Sequence, residues 1–271
     1  LLHITLKPLG IQSLCIHFFQ GVKMMASQYT TQLQAGLGMI EESIKLLDYF
    51  SDDQSVTDLY NEALDSRAFP NVTARRLRNI IAECFSPRFM KAENIPAYVL
   101  KGILKDGRKK ETEQLFFLAT ARANKIFYDF VIDVYWPAYT SYNSTIKRDD
   151  AKSFILDALS NKKMKSTWSD TTISRVSGYL IGCLSDFHLI DNEKRKSERV
   201  AQTFRPLGLV TTLLAYDLHF RGFADNSLIS HSDWKLFGFN ERDVRDELKR
   251  LSRNGYFLIQ TANDVVRIGW N

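Results

Sequence analysis

The chain has 271 residues, 45% hydrophobic and 25% charged, which excludes global disorder and leaves room for one large or two ordinary domains. A net charge of +5 and a pI near 9.0 are mildly basic, compatible with a nucleic-acid partner without demanding one. The excess is local: residues 1–145 hold 16 Lys/Arg against 15 Asp/Glu, whereas 161–205 hold nine against five.

Residues 1–25 read as a leader or upstream extension. Their apolar run from Leu9 to Phe19 is short for a membrane span, and Met24 and Met25 stand just before the first well-formed helix. No later segment is apolar enough to cross a bilayer, so a soluble protein with no membrane partner is expected. Leu37, Ile40, Ile44 and Leu47 predict an amphipathic helix ending near Phe50. Ser55 starts the next, with Asp58 placed for a weak capping box. Pro70 forces a turn, and a helix over Asn71 to Phe85 follows. It turns Leu77, Ile80, Ile81, Cys84 and Phe85 inward, leaving Arg75, Arg76, Arg78 and Asn79 outside. Pro87 is expected to end it. Two or three helices fill 95–140, interrupted by the loop from Lys105 to Lys110 and closed at Trp136-Pro137. The aromatic run between Gln114 and Tyr135 reads as core.

The polar stretch Thr140–Thr145 marks the expected boundary between an N-terminal helical domain, 26–145, and a C-terminal domain, 146–271. Ala151, Phe154, Ile155, Ala158 and Leu159 begin the second domain's first helix, and a basic turn with Lys162, Lys163 and Lys165 follows. Ser169 caps the next helix, which buries Ile173, Val176, Leu180, Cys183, Leu184 and Phe187 and turns Thr171, Arg175 and Gly178 outward. Gly178 serves either close backbone approach to a phosphate or close helix packing. A hairpin with Lys194, Arg195, Lys196 and Arg199 at its tip reads as a solvated loop or as a wing against phosphates. Leu207 to Phe220 then forms an apolar helix expected to pack a third module onto the second. That module's first helix carries Leu228, His231, Trp234 and Phe237. Its second starts at Asn240 and bears Arg242, Lys249 and Arg253, diluted by Asp243, Asp246 and Glu247. Gly255 stands where a left-handed cap belongs, and 257–261 with 265–270 form a hairpin.

One pattern thus recurs imperfectly three times: helix, turn, and a second helix with arginines outside, twice followed by a hairpin. That is the outline of a winged helix. The expected fold class is all-α, mainly α with small β-hairpin wings, in two helical domains containing helix-turn-helix or winged-helix-like modules. Signatures of catalysis are missing. There is no glycine-rich phosphate loop and no Gly-x-Ser-x-Gly elbow, and His3, His17, His188, His219 and His231 have no metal-ligand spacing. Three scattered cysteines form no disulfide framework. The reading is a non-enzyme with no cofactor, no metal and no small-molecule substrate.

Several words in the chain resemble the BrxA family of bacteriophage exclusion (BREX) defence systems. They are Tyr29-Thr-Thr-Gln-Leu-Gln-Ala-Gly-Leu, Phe69-Pro-Asn-Val-Thr-Ala-Arg-Arg-Leu-Arg-Asn-Ile, Leu118-Ala-Thr-Ala-Arg-Ala-Asn, Tyr135-Trp-Pro, Ala215-Tyr-Asp-Leu-His-Phe220, Trp234-Lys-Leu-Phe-Gly-Phe239 and Asp246-Glu-Leu-Lys-Arg-Leu251. The resemblance runs from about Gln28 to the C-terminus. It implies a cytoplasmic, mainly helical protein acting beside a site-specific DNA methyltransferase and ATPases, and it carries over no catalytic residue. The expected function is that of an accessory subunit binding double-stranded DNA and other BREX subunits. The alternative is an adaptor that scaffolds the methyltransferase or an ATPase. The candidate DNA-binding residues are Arg75, Arg76, Arg78 and Asn79; Lys163, Lys165, Arg175, Lys194, Arg195 and Lys196; and Arg242, Lys249 and Arg253.

Overall fold

Amphipathic segments separated by short polar turns give a mainly α-helical molecule with, among the described residues, two small antiparallel sheets. The structure, a computed structural model, describes residues 28–31, 39–90, 94–164, 166–191, 198–262 and 265–270. The expected leader over residues 1–25, Cys15 included, lies outside these.

Helices α1 (Ile40–Tyr49) and α2 (Val56–Asp65) pack on each other. The Ser55 cap forms as expected: its Oγ accepts from the Asp58 amide at 3.1 Å, and the Asp58 carboxylate accepts from the Ser55 amide at 3.2 Å. Helix α3 (Ala74–Asn79) starts later than the sequence suggested. Thr73 is its N-cap, accepting from the Arg76 amide at 3.3 Å.

Pro87 does not end this helix. The chain passes from α3 through a π-helical segment, Ile80–Phe85, into α4 (Ser86–Phe89) without a break. The same device recurs where α7 (Lys125–Phe130) runs through a second π segment, Val131–Tyr135, into α8 (Trp136–Thr140), so Pro137 is no terminator either. Each proline comes two residues after a π segment ends. In an α-helix a proline forfeits one hydrogen bond and its ring presses on the carbonyl one turn back. The widened turn, in which Ser86 and Trp136 donate five residues back to Ile81 and Val131, relieves that conflict and lets the helix continue.

Between these lie α5 (Ile95–Lys105) and α6 (Lys109–Ala123). Strand β1 (Thr145–Lys147) leads directly into α9 (Arg148–Ser160), followed by α10 (Asp170–Asp186). Strand β2 (Glu198–Val200) returns antiparallel to β1, Ile146 opposite Arg199, while Ile190 bridges Ala201 on the continuing chain.

Helix α11 (Gly208–Phe220) is buried along nearly its whole length, as is α6 from Leu115 to Arg122. Helices apolar on all sides belong at a molecule's centre, and these two pack against each other. α11 therefore seats the last module on α6 of the N-terminal half rather than simply on the second module. The expected single helix around His231 is instead α12 (Asp225–Ile229), a bend, and a 3-10 turn, Ser232–Phe237. His231 breaks it by capping that turn: its Nδ1 accepts from the Asp233 amide at 3.2 Å. Helix α13 (Glu241–Ser252) and a hairpin of β3 (Phe257–Ala262) and β4 (Val265–Trp270) complete the chain.

The aromatic run is core: Phe116, Phe117, Phe127, Tyr128, Phe130 and Tyr135 are all buried. A fully buried phenylalanine stabilises by about 1.5–3 kcal/mol, so these rings dominate the centre. Beside them sits a buried ionic knot. Arg122 on α6 donates to Asp217 of α11 at 2.7 Å and, through Nε, to Asp233 at 2.8 Å; the Tyr128 hydroxyl adds a bond to Asp233 at 3.1 Å. Burial alone would raise the Asp233 pKa, but Arg122 and its neighbours hold it below the ordinary value, so it stays ionised. Gly238, at φ +72, meets the Trp136 ring 2.8 Å from where a Cβ would stand, and the indole donates to the Leu236 carbonyl at 3.1 Å. Only glycine fits this backbone and this contact.

Candidate nucleic-acid interface

Helix α10 exposes little more than its first half. Ser169 caps it, accepting from the Thr172 amide at 3.3 Å. Asp170, Thr171, Ser174 and Arg175 face solvent, whereas the following turns are largely covered until Asp186. Part of the cover comes from Arg148 at the start of α9. Its guanidinium donates to the Ser174 carbonyl at 2.7 Å and to the Ser174 hydroxyl at 3.1 Å. It also lies 3.5 Å from the position a Gly178 Cβ would take, an ordinary contact distance, so this packing does not itself require glycine.

A cleft of about 640 Å³ opens at the exposed end, between Gln28–Thr31 and Ser166–Ser169, with Arg175 and Trp168 in its wall. Tyr29 holds the short N-terminal segment in place. Its amide donates to the Lys163 carbonyl at 2.8 Å, and its hydroxyl donates to Asp129 at 2.8 Å. Burial, then the Asp129 bond, push that phenol well above its ordinary pKa, so it stays a neutral donor. The exposed Lys163 ammonium stands 5.7 Å from the same ring. Arg175 lines this cleft, whereas Lys163 lines another pocket together with Asp133, Asp150 and Asp157. Lys165, Lys194, Arg195 and Lys196 lie outside the described residues.

The other two groups have different surroundings. Arg75, Arg76, Arg78 and Asn79 are all exposed on α3, with the Arg78 guanidinium 5.1 Å from the Tyr60 ring. α2 packs against α3, and the α1–α2 pair exposes Glu41, Asp48, Asp52, Asp53, Asp58, Glu62 and Asp65. These carboxylates weaken the local field the arginines can offer a phosphate. On α13, Arg242, Lys249 and Arg253 are exposed, but the helix neutralises itself. Arg250 grips Glu247 with two bonds of 2.7 Å, and Arg245 pairs with Glu241 at 3.6 Å. Burial would raise the Glu247 pKa, yet the bonds from Arg250 and from the Thr211 hydroxyl hold it below the ordinary value.

Sequence reasoning missed Gln28–Thr31, Trp168 and Arg148. The first stretch has no periodicity, and its one signal was that Tyr29 opens a family-like word. Arg148 looked like an ordinary first-turn residue.

Among the described residues no group of His, Cys, Asp and Glu is placed to hold a metal ion, and no helix is long and apolar enough to cross a membrane. Cys84 and Cys183 are free and buried, and burial pushes the Cys84 thiol up to about 11. No curated protein and no solved structure matches the chain. A family model described as BrxA matches residues 27–213, which takes in α3, the Gln28–Thr31 segment, the whole of α10 and the first turns of α11. With well over half its length matched, the chain belongs to the BrxA family and is a component associated with BREX phage defence.

Proposed function

We propose that this chain is a non-enzymatic, double-stranded-DNA-binding accessory subunit that works in the cytoplasm to support host DNA methylation and phage exclusion. One observation carries the reading: the free end of α10, which carries the exposed Arg175, is framed as a recognition helix would be. β1 precedes α9, α10 follows, and β2 returns to pair with β1 after residues 192–197, the stretch of sequence that includes Lys194, Arg195 and Lys196. That strand order is the one a winged helix uses to hold its second helix outward. Cations around the α10 end displace counterions from phosphates, while its first turns enter a groove. Few outward side chains form a base-reading set, so binding should depend weakly on sequence.

A second role as an adaptor for other BREX subunits fits the third module, because the ion pairs along α13 leave a mixed surface better suited to protein than to phosphate. The deciding experiment is fluorescence anisotropy of a labelled duplex at about 50 mM and about 200 mM salt. Five or so phosphate contacts give a log–log slope of about −4 to −5. The Lys163→Ala/Arg175→Ala variant should bind more weakly and lose part of that slope. A salt-independent response, or no binding at the lower salt, would leave the adaptor role alone standing.

A further inference from the structure

A second cavity, of about 450 Å³, lies at the other end of α10. The ring its floor presents is the half-buried Phe204, with Phe117 and Phe187 buried behind it. The Phe117 ring meets those of Phe187 and Phe204 edge-on at 5.5 and 5.2 Å between centroids. Its rim is cationic. Lys110 and Arg205 are exposed there, and neither forms an ion pair with a described carboxylate. The one acidic lining group, Glu113, is engaged by Lys109 at 3.8 Å.

The walls are held before anything binds. The Gln114 side chain clamps the connector after β2 with two bonds, donating to the Arg205 carbonyl and accepting from the Leu207 amide, each at 2.8 Å. The Tyr135 hydroxyl fixes the same connector by donating to the Gln202 carbonyl at 2.9 Å. His188 completes the rim at φ +58, in the left-handed position after α10 where glycine is the unstrained choice. Keeping a large side chain there costs backbone strain, of order 1 kcal/mol, with no packing return, since His188 is exposed.

We infer that this cavity binds an aromatic anion of two or three rings, one ring packing on the half-buried Phe204 that fronts the buried Phe117 and Phe187, and its charge lying between Lys110 and Arg205. The volume falls in the range of small-ligand sites, and an apolar floor with few convergent charges is the usual composition of one. An additional ring can take the offset or edge-on geometry that aromatic quadrupoles favour. Because the connector's amide and carbonyl are already used by Gln114, recognition rests on ring and charge rather than on backbone pairing. The site is independent of the DNA reading: it lies at the covered end of α10, away from Arg175.

The probe is 8-anilinonaphthalene-1-sulfonate, followed by fluorescence and by calorimetry on the full chain. One molecule should bind per chain. The uncharged N-phenyl-1-naphthylamine should bind several-fold more weakly. Lys110→Ala/Arg205→Ala should weaken the sulfonate about tenfold while leaving the neutral probe nearly unchanged, as expected for two partly exposed charge contacts. Thr203→Trp, at an exposed lining residue, should fill the cavity and abolish binding without lowering the thermal midpoint. Binding untouched by Thr203→Trp would place the probe elsewhere and overturn the inference. Equal affinity for the two probes, or no stoichiometric binding, would overturn it too.

Discussion

Helices α10 and α13 start alike and then use charge differently. Ser169 and Asn240 each accept from amides of the first turn, and each helix stands between a preceding helical element and a hairpin-like return. On α13, Glu241 and Glu247 stand one turn from Arg245 and Arg250, and the charges cancel along the helix. On α10 the acidic residues are confined to its ends, Asp170 and Asp186, and Arg175 makes no ion pair with a described residue. Surface pairs of the α13 kind contribute little stability, about 0–1 kcal/mol each, so their main effect is on the field. One architectural plan can therefore present either a phosphate-seeking end or a neutral face, and the choice is made by a few residues outside the core.

The largest expected effect comes from separating the module that holds α13 from its support. Arg122 connects α6 to Asp217 of α11 and to Asp233 of the 3-10 turn. Arg122→Ala leaves two carboxylates buried without their arginine and should cost about 3–5 kcal/mol in chemical denaturation. Arg122→Lys should recover little, because a single ammonium cannot reproduce the forked grip. A loss under about 1 kcal/mol would mean that the knot is not what seats the third module. Under conditions where Arg122→Ala remains folded, duplex affinity should be unchanged, since the α10 end takes no part in the knot.

The next test compares the two helices directly. Arg175→Ala should raise the dissociation constant for duplex DNA about fivefold and reduce the salt slope by about 1. Arg242→Ala should change affinity less than about twofold. Equal losses would erase the distinction between the two helices and make the third module a DNA contact.

Most of the helical frame was legible in local spacing. The apolar sets of Leu77–Phe85 and Ile173–Phe187 are buried as their spacing predicts, although the first runs through a π segment, and Ser55, Ser169 and Asn240 all cap. What was not legible depends on partners distant in sequence or on helix registers other than α. Pro87 and Pro137 carry the local mark of a stop, and only the π turns ahead of them reverse it. β1 is three residues whose partner lies about fifty residues on, so Thr145–Lys147 reads as linker. Arg122 lies 95 and 111 residues from its two carboxylates. Of the candidate site, the outward position of Arg175 follows from periodicity. Its neighbours Tyr29 and Trp168, and the arginine that covers Gly178, come from elsewhere in the chain and leave no pattern near it.

The smallest expected effect concerns how each second helix is introduced. The hydroxyl of Ser169 and the amide of Asn240 do not titrate near neutrality, but His231, which caps the 3-10 turn ahead of α13, does. Its Nδ1 must be unprotonated to accept from the Asp233 amide, and its ring stands edge-on to Phe223 at 4.5 Å. Burial lowers its pKa below the ordinary 6.5; Asp233, 3.6 Å away, opposes that shift, while Arg122 and Arg221 reinforce it. With the folded value below the unfolded one, the unfolded chain binds more protons in that window. The contribution is therefore complete above about pH 6.5 and is lost as pH falls through the folded value. His231→Asn keeps an accepting cap without a titration, so thermal midpoints measured from about pH 7 to about pH 5 should fall less steeply in that variant. Because α10 is capped by a hydroxyl, the same acidification should leave the exchange protection of its amides unchanged while the amides of the 3-10 turn lose theirs. Equal loss in both would show that the histidine cap does not distinguish them.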